Sequence, residues 1–373
     1  FVLVDFCYYW LHRTGHTFNV FWAMHGVHHS SEEYNLTTAL RQSTFHGIVS
    51  WLYYLPLALI FPPLLLYYHA QFNLLYQFWL HTEAIPKLGV FEYFLNTPSQ
   101  HRVHHGRNPY CIDTNYGGTL CIFDRLFGTY QEELDDVPVV YGLTHSLNTM
   151  CPIKANTQMW HGIIDNIVNN VSGLRQKFNV LYYGPGWIPG TPSNDNQYPI
   201  PQCTLDTVQK YNPRYSLSFN VYIISQLALY LVVHSLCMTM QSDDAKPLYV
   251  LAIFLLYQSW CLGKILDRTK YSFYFELSRI VLGAVICCYV AKESNQAAPY
   301  RTVLYNAAIL SAIISACWFA SFKQQLAVPI LKTEIGKDFD GAQDEGAKEW
   351  LNHLKKTQKN VKGQQNYQYI NIN

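Results

Sequence analysis

Eight histidines fall into three short boxes. His12 and His16 form an HxxxH box, His12-Arg-Thr-Gly-His16. His25, His28 and His29 form an HxxHH box, and His101, His104 and His105 form a second one. Neutral imidazole is the commonest metal ligand. Spacings of three and four put side chains on one helix face, about 5–6 Å apart. One such pair arises readily for packing alone; three boxes in a chain of 373 residues with 15 histidines do not. Imidazole suits zinc, copper, iron and nickel. Structural zinc takes four ligands and favours some cysteine, so eight imidazoles are too many for one such ion. Shared between two iron ions they would leave open positions, and a His-rich pair of irons at a membrane surface suits oxygen activation on a lipid. The metal would carry the hard chemistry, and the protein would supply ligands and a dry cavity.

The boxes need elements to hold them. His16 and His25 are nine residues apart, half a turn out of phase on a 3.6-residue helix. The chain is therefore expected to turn between Thr17 and Met24. The third box follows His29 by 72 residues and must be returned by the fold. Ser30-Ser-Glu-Glu33 has the form of a capping box opening the next helix, a role that suits Glu33 better than metal ligation. Thr97-Pro98 reads as an N-cap with proline at N1, starting the helix of the third box. Residues 52–63 and 64–85 read as a hairpin dipping into or crossing a membrane, broken at Pro62-Pro63.

Composition agrees with a membrane setting. The chain is 50% hydrophobic and only 14% charged, against about 25% charged in soluble domains. Residues 47–68, 217–240, 247–262, 277–291 and 303–322 are long apolar runs, where a crossing takes about 20 apolar residues. A net charge of +1 gives no basic field for nucleic acid. The ten cysteines show no CxxC spacing and no disulfide framework, and those in apolar runs read as small buried residues. The chain opens at Phe1, and residues 1–11 are apolar except Asp5. That is half a bilayer core, so the sequence is expected to be a fragment with its upstream membrane segment missing.

The organisation expected is all-α and polytopic. Residues 1–148 form the histidine-rich catalytic region, and 149–216 an extramembrane connector in which Trp187 and Ile188 reach lipid headgroups or solvent. Residues 217–322 form four membrane helices, and 323–373 a polar, flexible tail. Lys264, Arg268 and Lys270 against Asp267, and the lysines of the tail, put that loop and the tail in the cytosol. Counting crossings back then places all three boxes on the cytosolic face.

The boxes resemble the eight-histidine pattern of the fatty acid hydroxylase and sterol desaturase superfamily. The likeness extends through His25-Gly-Val-His-His-Ser-Ser-Glu-Glu-Tyr-Asn35, Leu40-Arg-Gln-Ser43, the stretch from Gln71 to Glu83, His101-Arg-Val-His-His-Gly-Arg-Asn108 and Tyr110-Cys-Ile-Asp-Thr-Asn-Tyr116. It continues through Asp124-Arg-Leu-Phe-Gly-Thr129 and Tyr141-Gly-Leu-Thr-His145. Within the superfamily the chain is most similar to the tetrahydrobiopterin-dependent oxidases of ether lipids. The resemblance implies two irons on His12, His16, His25, His28, His29, His101, His104 and His105, with His81 a ninth ligand or a hydrogen-bonded core residue. His145 is a weaker candidate, and His46 and His69 lack box spacing. Metal-bound histidine usually donates its outer N–H to a carboxylate or carbonyl. Asp124 is the first choice for that role, with an Asp124–Arg pair as the alternative; Asp113 and Asn115 are further candidates.

The resemblance implies O2, an ether lipid and membrane lipids as partners, a pterin-recycling enzyme only indirectly, and the endoplasmic reticulum membrane as location. Two positions depart from the family pattern: Thr17 stands where an acidic residue is expected, and Gln100 where a histidine is expected. Other readings are a sterol or fatty-acyl hydroxylase or desaturase drawing electrons from cytochrome b5, or a non-enzymatic membrane protein with a retained metal site.

Overall fold

The computed structural model describes residues 1–187, 189, 203–213, 215–239, 245–293 and 298–327. Ile188, four residues of the 241–246 loop and residues 328–373, most of the expected tail, lie outside them. The described residues are helical, with two isolated β-bridges and no strand. They form two compact units. The first comprises the described residues of Phe1–Leu147 and Asn156–Tyr211; the second comprises Asn148–Ala155 and the described residues from Asn212 to Ala327.

The first unit begins with α1 (Val2–Thr17) and α2 (Asn19–His29). The expected turn is a single residue: Phe18 is extended, at φ −107° and ψ 129°, and that reverses the phase between the first two boxes. The capping box falls five residues later than expected. Asn35, not Ser30, caps α3 (Leu36–Ala39), paired reciprocally with Thr38. Ser30 instead ends α2, and Glu33 pairs with Lys210 at 2.9 Å. Asparagine caps as well as serine, and Ser31 is diverted to a bond with the Glu33 carbonyl.

The apolar hairpin is present as α4 (His46–Ala58) and α5 (Pro63–Leu80). Pro63 sits at N1 of α5, where its missing N–H costs nothing. Trp51, Leu55, Leu59, Ile60, Leu64, Leu65 and Tyr68 stay exposed on it, as a lipid-facing surface would. Then come α6 (Pro98–His105) and α7 (Ile122–Phe127). Thr97 is the N-cap of α6, but its hydroxyl does not cap; it donates to Glu92, as does Ser99. The Glu92 carboxylate sits near the N-terminal end of α6, where negative charge is favoured.

The stretch expected as a connector carries two helices, α8 (Pro152–Asp165) and α9 (Gly173–Tyr182). Residues 156–211 cluster with the first unit. Trp187 packs against the core around Ala23, Ile163 and Val180.

The second unit holds α10 (Leu217–Thr239), α11 (Lys246–Leu266), α12 (Ser272–Glu293) and α13 (Ala298–Ala327). Each contains a stretch long and apolar enough to cross a membrane. The apolar runs at 247–262 and 277–291 lengthen to helices of 21 and 22 residues, taking in the flanking Lys246 and Lys264 of α11 and Glu276, Lys292 and Glu293 of α12.

Candidate metal centre

The nine histidines 12, 16, 25, 28, 29, 81, 101, 104 and 105 are all buried in the first unit. They separate into two sets. His12, His16, His25, His29 and His104 form one; His28, His81, His101 and His105 form the other. Within each set the candidate ligand nitrogens lie within 4.8 Å of one another.

Helix geometry explains the division. In an HxxHH box the first and last histidines are four apart and share a face, while the middle one points about 100° from the last. Box two sends His25 and His29 to the five-membered set and His28 to the other. Box three does the reverse, sending His101 and His105 to the four-membered set and His104 across. The two sets are thus interlocked. His12 and His16 complete one; His81, at the C-terminal end of α5, completes the other. The sequence left His81 undecided between ligand and core residue, and its ring stands inside the second set.

The inner nitrogens face each other. His25 Nε2 is 3.0 Å from His12 Nε2 and 3.1 Å from His29 Nε2. His81 Nε2 is 3.3 Å from His28 Nε2 and 3.1 Å from His101 Nε2. His16, His104 and His105 hold buried Nε2 atoms with no partner among the described residues. Buried polar atoms are normally satisfied; converging, unsatisfied imidazole nitrogens fit a cation in each set. Burial, and after it the neighbouring imidazoles, holds His25, His29, His101 and His105 well below the usual histidine range. The same burial lowers His28 and His104. These rings are neutral at physiological pH, the form that ligates metal.

The outer nitrogens are held by backbone. His12 Nδ1 meets the Tyr116 carbonyl at 2.9 Å and His104 Nδ1 the Thr114 carbonyl at 2.8 Å. His28 Nδ1 meets the Arg41 carbonyl at 3.2 Å and His81 Nδ1 the Gln77 carbonyl at 2.8 Å. An Nδ1–H engaged in this way leaves Nε2 unprotonated and turned inward.

The loop after box three is shaped for this. Asp113 and Asn115 are left-handed, at φ 58° and 56°, a conformation that Asp and Asn tolerate better than most residues. They flank Thr114 and bring its carbonyl and that of Tyr116 onto two imidazoles. Asn115 fastens the loop, bonding the Gln100 carbonyl and both backbone groups of Gln131. Among the described residues Asp124 bonds no box histidine, contrary to expectation, and forms no arginine pair. Its carboxylate accepts the N–H groups of Tyr116 and Gly117 and the Thr129 hydroxyl, so it fixes the peptide that meets His12. The carboxylate on a box histidine is Asp113, 3.3 Å from His16 Nδ1.

Several positioning residues escaped the sequence reading. Asp5 accepts Thr119 N, Leu120 N and the Asn73 amide, tying α1 and α5 to the segment after box three. Its signal was its solitude in an apolar run. Tyr34 donates to the Leu80 carbonyl and stacks on Tyr141. Arg102 makes a two-pronged pair with Glu133 at 2.7 and 2.8 Å. At the departures from pattern, Thr17 bonds back to the Arg13 carbonyl and Gln100 donates to the Glu92 carbonyl. Neither enters a histidine set. His46, His69 and His145 also stay outside both. Beside the five-membered set lies a small cleft lined by Leu11, Phe21, Met24, Val49 and Tyr53 with His12, His25 and His46.

Residues 1–129, which include every member of both sets, match the family model described as fatty acid hydroxylase. An alkylglycerol monooxygenase of Danio rerio is 44% identical over 283 residues, 76% of this chain and 63% of that protein. The proteins of the same name from Xenopus tropicalis and Homo sapiens are each 49% identical, over 63% of this chain and 52% of theirs. The chain therefore spans between about half and two thirds of the length of these curated relatives. No solved structure matches it. The chain is a homologue of the alkylglycerol monooxygenases and carries, over residues 1–129, a domain of the fatty acid hydroxylase family.

Proposed function

We propose that the chain is the oxygenase part of a membrane-bound, di-iron ether-lipid monooxygenase that uses tetrahydrobiopterin. The observation that carries this reading is the pair of interlocked imidazole sets beside an apolar cleft. His12, His16, His25, His29 and His104 would hold one ion, and His28, His81, His101 and His105 the other. Bound iron would supply O2 activation. The chain's own residues set the rest: Leu11, Phe21, Met24 and Val49 receive an alkyl chain and exclude water, and backbone carbonyls orient the rings.

The reaction inserts one oxygen atom of O2 into the C–H bond next to the ether oxygen of an alkylglycerol, a bond weakened because that oxygen's lone pair stabilises the carbon radical. The other oxygen atom leaves as water, using two electrons from the pterin. The product hemiacetal collapses to a fatty aldehyde and a glycerol derivative. The active site faces the cytosol on the endoplasmic reticulum, supported by the Lys264, Arg268 and Lys270 loop.

The test is aldehyde release from an alkylglycerol by membranes containing the full-length protein, with and without tetrahydrobiopterin. We expect pterin-dependent aldehyde from the ether and none from its ester analogue, whose carbonyl withdraws the lone pair. Equal oxidation of a 4-methylsterol, or activity that follows cytochrome b5 and ignores the pterin, would overturn the reading. The ligand sets make a separate prediction. His81→Ala leaves three imidazoles in its set, and purified protein should fall from two bound metal ions to about one, the five-membered set retaining its ion. Two ions in that variant would return His81 to a core role. Glycosylation reporters placed after Asn115 should stay unmodified, and a modified reporter there would reverse the topology.

A further inference from the structure

Two neighbouring segments of the first unit have their polarity turned inside out. One is the 3-10 turn Gly89–Tyr93 with the residue after it, where the sequence reads Val90-Phe91-Glu92-Tyr93-Phe94. Val90, Phe91, Tyr93 and Phe94 are 71%, 59%, 63% and 63% exposed, whereas Glu92 is 8% exposed. The Glu92 carboxylate accepts the Leu88 N–H and the Thr97 and Ser99 hydroxyls, and its carbonyl accepts Gln100 and Arg125. On α7 the pattern repeats: Asp124 is buried while Ile122 and Leu126 are exposed. The two segments abut, since the Cys121 N–H donates to the Phe94 carbonyl and Leu95 forms a β-bridge with Leu120.

A segment facing water turns its large apolar side chains in and its acids out, because apolar burial is favourable and carboxylate burial is costly. The reverse arrangement points to an apolar exterior, and a contiguous exposed patch of this kind marks a protein or membrane contact. Three features favour a bilayer at headgroup level. First, Arg125 is the one outward-turned charge of residues 88–94 and 120–127. Its guanidinium lies 3.7 Å from the Tyr130 ring centre and 5.4 Å from that of Tyr93. Aromatic rings with a snorkelling arginine are the residue set of the membrane interface. Second, the patch has a polar edge: Lys87 pairs with Glu132 and Asp135 at 3.2 and 2.8 Å, and both acids are exposed. Third, Tyr76 of α5 donates to the Asn96 carbonyl and packs beside the exposed Phe72. The surface thus runs on into the apolar hairpin.

We propose that Val90, Phe91, Tyr93, Phe94, Ile122 and Leu126 form a foot seated in the membrane interface, about 5–10 Å into the headgroup and acyl boundary, with the Lys87, Glu132 and Asp135 edge left in water. Through Glu92, bonded to Thr97 and Ser99, the foot is fixed to the start of α6, so it sets the height of box three over the bilayer. The inference rests on the surface of the first unit and not on the oxygenase reading. Full-length protein in phosphatidylcholine nanodiscs is irradiated with phosphatidylcholines carrying a diazirine either beside the glycerol or at the acyl-chain end, and labelled peptides are mapped by mass spectrometry. With the glycerol-level probe, residues 88–96 and 120–127 should label about tenfold more than 130–137, which water surrounds. With the chain-end probe they should fall to about the level of 130–137, while 301–318 labels with it strongly. The double variant Phe91→Asp, Phe94→Asp removes two exposed rings from lipid and should lower glycerol-level labelling of 120–127 about tenfold, leaving 301–318 as in wild type. Wild-type labelling of 88–96 no higher than that of 130–137, as a protein partner or a second copy seated there would give, would overturn the proposal. Stronger labelling of 88–96 by the chain-end probe, or unchanged labelling of 120–127 in the double variant, would also overturn it.

Discussion

Replacing His25 by alanine should abolish ether-lipid oxidation, with a loss of well over the 10–100-fold typical for an outer partner of a metal ligand. His25 is the hub of its set: its Nε2 lies at 3.0 and 3.1 Å from the Nε2 atoms of His12 and His29. Removing it takes away a candidate ligand and opens a void between α1 and α2. Metal analysis should show the five-membered set depleted and the four-membered set still loaded, about one ion per chain. Gln42→Ala, which removes an amide 3.2 Å from His28 Nδ1 but leaves the Arg41 carbonyl in place, should cost far less. Wild-type turnover in His25→Ala would remove that imidazole from the ligand set.

The largest stability effect is expected at Asp5. Its two carboxylate oxygens accept two backbone N–H groups and one side-chain amide from segments 68 to 115 residues away. Asp5→Ala strands all three donors in a buried site. At roughly 1–3 kcal/mol for each of the three unsatisfied groups, the loss is about 3–9 kcal/mol, enough to unfold a marginally stable domain. Asp5→Asn keeps one acceptor oxygen and should cost about half as much. Thermal unfolding in detergent orders the three proteins. Equal melting of wild type and Asp5→Ala would mean that water reaches these donors.

The first box's HxxxH spacing, the two HxxHH boxes, the proline break and the four apolar helices were legible because each is local: period, composition and a rigid residue define it. The division into five and four was not, although half of it is helix arithmetic. His28 and His29 are neighbours that must diverge, but which set each joins depends on where α6 is brought back. The outer partner was misassigned for a related reason. A carboxylate near the boxes in sequence suggested a direct bond to imidazole, yet Asp124 does its work through the Tyr116 peptide, and the left-handed turn at Asp113 and Asn115 that makes this possible has no strong signature. The capping box was displaced because Ser30-Ser-Glu-Glu33 and Asn35-Leu-Thr-Thr38 both carry plausible caps; the helix opens at Asn35, and the exposed Glu33 side chain pairs with Lys210 instead.

The four imidazoles that lean on peptide carbonyls, His12, His28, His81 and His104, carry a consequence for genetics. A carbonyl belongs to no side chain, so no ordinary substitution deletes it. Replacing Tyr116, Thr114, Arg41 or Gln77 changes the group beyond the Cα and leaves the acceptor in place. Mutational scans of this centre should therefore return the ligands and the residues that bend the backbone, and remain silent about the atoms that aim the rings. Ring orientation here is inherited from chain path, which makes it robust to drift at those four positions and fragile only to changes of conformation.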